Sequence, residues 1–83
     1  MDKNIIISAH KFCYNNKEKL QKDQKCGCFY CLKIFDPAKI EDWIPDVTGT
    51  AMCPYCGIDS VIGEYSGLPI TTEFLSEMNE YWF

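Results

Sequence analysis

The sequence predicts a small α+β fold, in which a β core carrying two C-x-x-C knuckles is flanked by an N-terminal and a C-terminal helix. Three observations carry that expectation. Cysteines recur as two pairs, Cys28-Phe-Tyr-Cys31 and Cys53-Pro-Tyr-Cys56, with 21 residues between them. Short strand-like runs border the pairs. Outside them, apolar residues recur at helical spacing over 8–23 and 71–82.

The elements follow in order. Ser8 is the expected cap of a helix over 8–23, which has no Gly or Pro and places Ala9, Phe12, Cys13 and Leu20 on one face. Asn15-Asn16 weakens its middle. Leu32 to Phe35 alternates as a strand does, and Asp36-Pro37 starts a short helical turn with Asp as cap and Pro at its first position. Trp43-Ile44 extends again, and Asp46 to Thr50 turns around Gly49. Ser60 to Ile62 is the returning strand, and Gly63 to Pro69 is loop. Thr71 or Thr72 caps the last helix, whose Phe74, Leu75, Met78 and Trp82 are expected to share a core with Phe35, Ile40 and Trp43.

With 83 residues the chain is expected to form a single domain, 1–83, of a size at which an apolar core alone is only modestly stabilising. Its 47% hydrophobic and 14% aromatic content excludes a disordered chain. Ile5-Ile6-Ile7 is far too short for a membrane span or a signal-peptide core, so the expected compartment is the cytoplasm, without membrane contact. In a reducing compartment six cysteines point to metal rather than to disulfides.

The expected ligands are Cys28, Cys31, Cys53 and Cys56, around one zinc ion. Two residues between paired cysteines let both thiolates reach one ion across a tight turn, with amides after the first thiolate aimed at sulfur. A residue just past the second thiolate often needs positive φ. Gly57 meets that demand, and Pro54 pre-sets the start of its turn. The first pair has Leu32 at the equivalent position and fits less well. Cys26 is a rival for Cys28, but only Cys28 completes the two-residue spacing. Cys13 reads as a small buried residue, the single histidine His10 as a surface residue, and Asp59 as a carboxylate bonding the turn backbone. Iron accepts the same four thiolates.

Residues 28–57 resemble a zinc ribbon, in which two such knuckles clamp one zinc, and CPYCG is also similar to a knuckle of rubredoxin. These knuckles serve unrelated functions, so the resemblance implies fold rather than activity. The stretches CGCFYC, CPYCGIDSVIG and PITTEFLSEMNEYWF resemble a group of short uncharacterised bacterial cytoplasmic proteins; that likeness implies no activity and brings no catalytic residue.

Charge narrows the function classes. Residues 1–39 hold all eight lysines against four acids, whereas residues 40–83 hold eight acids and no base; arginine is absent. A phosphate backbone is repelled over most of such a surface, so nucleic acid is disfavoured as a partner. It would engage Lys11, Lys17, Lys19, Lys22, Lys25, Lys33 and Lys39, with Phe29 and Tyr30 stacking on bases. Four cysteine ligands close a metal's shell, which points to a non-catalytic binding or adaptor protein with another protein as partner. The surfaces on offer are the acidic half and Tyr81-Trp82-Phe83. A redox role would need iron, or Cys26 as a reactive thiol.

Overall fold

Alternation along two short strands organises this chain into two apolar layers. The structure, a computed structural model, describes residues Met1–Phe83. β1 (Cys26–Cys28) is the centre of a three-stranded antiparallel sheet in the order β2-β1-β5, with β2 at Ile34–Phe35 and β5 at Val61–Gly63. The register pairs Cys26 with Phe35 and Gly63, and Cys28 with Val61. A second antiparallel pair joins β3 (Trp43–Ile44) to β4 (Thr50–Ala51).

Successive strand residues point to opposite faces. Cys26, Cys28 and Val61 therefore meet Leu20, Phe35, Ile40, Ala51 and Cys53 on one side, with Trp43 packed at the margin. Ile62 joins Ile6, Ala9, Cys13, Phe29, Ile70, Phe74, Leu75 and Met78 on the other. The single core expected from the sequence is thus two layers. The helix α3 (Thr72–Trp82) lies across the sheet from Phe35, Ile40 and Trp43 rather than against them.

α3 begins where the Thr71 hydroxyl accepts from the Phe74 amide at 3.2 Å, and it buries Phe74, Leu75 and Met78. It can approach β1 closely because Gly27 has no side chain: a Cβ there would stand 2.7 Å from Leu75 Cδ1 and 3.3 Å from Ile70 Cγ2. Both neighbours are buried and cannot swing aside. Gly27→Ala is accordingly expected to destabilise the protein by about 1–3 kcal/mol, the usual cost of overpacking, as read from urea denaturation.

The N-terminal region departs from the expected helix over 8–23. α1 spans Lys3–Ala9 with Asp2, not Ser8, as its cap; a 3₁₀ turn follows at His10–Cys13, and α2 is a single turn at Lys17–Leu20. Between them Tyr14 is extended and Asn15 takes φ of 50°, a left-handed conformation that asparagine tolerates better than most residues. The break serves long-range bonding. The Asn15 amide donates to Thr50 Oγ1 at 2.8 Å, and the Lys17 amide donates to the Gly49 carbonyl at 3.0 Å. Asn16 is buried, with its side chain bonded to three backbone groups: it donates to the carbonyls of Phe12 (3.0 Å) and Val61 (3.1 Å) and accepts from the Ala51 amide (3.1 Å).

Elsewhere local chemistry acts as its residues suggest. Asp36 caps a 3₁₀ turn at Pro37–Lys39 by accepting from the Ala38 amide at 2.9 Å. Between Gly63 and Pro69 a further 3₁₀ turn forms at Glu64–Ser66. No helix is long and apolar enough to cross a membrane.

Candidate metal centre

The two cysteine pairs sit on backbone turns of the same design. In the first, the Cys28 amide donates to the Lys33 carbonyl (3.0 Å), the Leu32 amide to the Cys28 carbonyl (2.8 Å), and the Tyr30 amide to Cys28 Sγ (3.4 Å). In the second, the Cys53 amide donates to the Ile58 carbonyl (3.0 Å), the Gly57 amide to the Cys53 carbonyl (2.9 Å), and the Tyr55 amide to Cys53 Sγ (3.4 Å). The residue past each second cysteine is left-handed, at φ of 66° for Leu32 and 79° for Gly57.

Leucine in this conformation costs on the order of 1–2 kcal/mol. Packing offsets that cost, since half-buried Leu32 lies against the layer of Phe29 and Ile62. Gly57 has no such contact, and a Cβ added there would meet nothing within 4 Å. Gly57→Ala is therefore expected to lose only the backbone preference, about 1 kcal/mol in denaturant titration, and to bind metal as the parent does.

β1 and the segment entering β5 bring the two turns face to face. Cys28 Sγ lies 3.6 Å from Cys56 Sγ and Cys31 Sγ 3.7 Å from Cys53 Sγ, and all four sulfurs fall within 4.8 Å of one another. Four thiolates around one zinc at bonds of about 2.3 Å would be separated by about 3.8 Å along each tetrahedral edge. Both cross-turn distances match that edge. The donor set and the spacing fit a single metal ion.

The electrostatics favour a cation. Burial works against ionisation of Cys28, but the Ser60 hydroxyl at 3.1 Å and the amides of Cys31 and Tyr30 outweigh it and hold this thiol below its ordinary range. Burial pushes the Cys31 and Cys56 thiols up, and the charge on Cys28 adds to both. One thiolate is stabilised here, and those of Cys31 and Cys56 are opposed. A divalent ion held by these sulfurs would reverse that balance, and its binding would release protons.

The rest of the reactive side chains lie apart from this group. Cys26 is fully buried and its sulfur contacts the Phe35 carbonyl at 3.5 Å; burial, with Asp23 and Asp36 nearby, raises its thiol far above the usual range. Cys13 is packed in the layer under α3, where burial and Asp59 push it up to about 12. His10 lies outside the cluster; it is half-buried and packs at a tilt against Trp82, with centroids 4.2 Å apart. Asp59 does not bond the turn backbone as expected, and its side chain makes no hydrogen bond.

Two supporting residues carried no sequence signal. Ser60 bonds the Cys28 sulfur from a strand edge, and Asn79 on α3 donates to the carbonyls of Phe29 (3.1 Å) and Tyr30 (3.2 Å), bracing the first turn from outside. A serine or asparagine at such places is indistinguishable from a surface residue until the partner strand or turn is in position.

Fold and site together define a small α+β chain with a knuckle-type group of four cysteines able to hold one metal ion. No family model, curated protein or solved structure matches this chain.

Proposed function

We propose that this chain is a zinc-ribbon-like binding or adaptor protein, in which one zinc ion held by Cys28, Cys31, Cys53 and Cys56 secures the fold and the outer surface engages another protein. The observation that carries the reading is the convergence of four sulfurs within 4.8 Å on two matching turns. Four thiolates fill a tetrahedral shell, so no position is left for a water or substrate, and the ion's contribution is to stability.

The surface supports a protein partner with basic character. Only Glu77 among the twelve acids takes part in an ion pair, with the N-terminal amine at 2.6 Å. Glu73 and Glu80 on α3, and the acids of the second half generally, are free to meet positive charge, which speeds and orients association. Nucleic acid is a poorer fit. The ammonium groups of Lys3, Lys11, Lys17, Lys19 and Lys33 lie over aromatic rings of the protein itself, and Phe29, one of the two candidate stacking residues, is buried.

The test has two readouts on protein purified from its own cells. Elemental analysis should find one zinc per chain and a colourless solution; visible absorbance would instead mark iron and overturn the zinc assignment. Affinity capture before and after nuclease treatment should recover the same discrete protein. Loss of all captured material on nuclease treatment would overturn the protein-partner reading.

A further inference from the structure

Where the 3₁₀ turn at His10–Cys13, the Ile58–Ser60 segment after the second cysteine turn and the end of α3 converge, the structure leaves a cavity of about 250 Å³ that the metal centre does not use. Tyr14, Trp82 and Phe83 supply aromatic walls over the buried ring of Phe29, and His10 and Asp59 also line the cavity. We propose that this cavity binds a methylated ammonium group.

Three features carry the assignment. The walls are aromatic and held in place. Trp82 is fixed by its indole N–H donating to the Ile6 carbonyl at 3.2 Å and by His10 packed at a tilt against it, and Phe83 packs against Phe29 at 5.8 Å between centroids. Aromatic faces carry negative potential, and they attract quaternary ammonium groups because these shed water easily. Charge is the second feature: Asp59 is the only acid of the lining, no lysine lines the cavity, and the Asp59 carboxylate has no hydrogen-bond partner within the protein. An anionic ligand would face that carboxylate, with His10 the one basic side chain in the lining. Size is the third. The volume lies just under the range of about 300–1,000 Å³ typical of sites for larger ligands, and it suits a compact headgroup. The site stands independently of which metal the cysteines hold.

The test uses the metal-loaded full chain carrying Trp43→Phe, so that Trp82 is the one tryptophan, at pH 8 and constant ionic strength. Choline should quench Trp82 fluorescence saturably and bind at least about tenfold tighter than its uncharged isostere 3,3-dimethyl-1-butanol. Asp59→Asn changes an exposed side chain without hydrogen bonds, so it should leave the fold intact and remove most of that difference. Equal binding of the two compounds, or no saturable response to choline, would overturn the proposal. A peptide carrying trimethyllysine distinguishes the source of the group. Tighter binding than choline assigns it to a protein side chain, and weaker binding assigns it to a free small molecule.

Discussion

Cys56→Ser should abolish stoichiometric metal binding and, with it, cooperative folding. The three-stranded sheet is only two or three residues long on each strand, and at the cysteine turns the segments it joins bring Cys28 Sγ to 3.6 Å from Cys56 Sγ and Cys31 Sγ to 3.7 Å from Cys53 Sγ, where a shared metal ion would tie them. Structural zinc contributes about 10–16 kcal/mol of apparent binding energy in small domains. Total stability of a domain is only about 5–15 kcal/mol. Losing one ligand of four therefore removes an amount comparable with the whole. Near-ultraviolet circular dichroism and zinc content read the result together. Cys26→Ser is the control: that sulfur faces the Phe35 carbonyl, not the cluster, so the variant should keep one metal ion and a cooperative melt. A Cys56→Ser protein that melts like the parent and retains one zinc would refute the site.

The second large effect is expected at Asn16. One buried amide ties the N-terminal segment to β4 and β5 through Phe12, Ala51 and Val61. Asn16→Ala would leave the buried Ala51 N–H and Val61 carbonyl without partners, each costing about 1–3 kcal/mol, so a loss of about 3–4 kcal/mol is expected in denaturant titration of the metal-loaded protein. Asn16→Asp should be nearly as damaging: it preserves the acceptor for Ala51 but turns a carboxylate oxygen toward two carbonyls. A loss below about 1 kcal/mol for the alanine variant would mean that water replaces the amide, contrary to its burial.

Both variants probe what was unevenly legible in the sequence. The four converging cysteines could be picked out because their chemistry is local: two intervening residues, a proline at the start of one turn, a glycine at its end. The Asp36 cap, the Thr71 cap and the apolar face of α3 were readable for the same reason, since each depends on partners within one helical turn. Asn16 was not. Its partners Ala51 and Val61 lie 35 and 45 residues away, and in the sequence it marks nothing more than a weak point in a helix.

Spacing and turn chemistry within a few residues were enough to specify the two cysteine turns, the C-terminal helix and the grouping of Cys28 rather than Cys26 with the other three cysteines. Long-range bonding and packing set what remained: the break at Asn15, the left-handed Leu32, and the division of the core by a sheet with α3 on one face and Phe35 on the other. Each of these places a residue against its local preference or leaves that preference undecided, and the outcome rests on contacts made by segments distant in the chain. Local periodicity contains no record of such contacts.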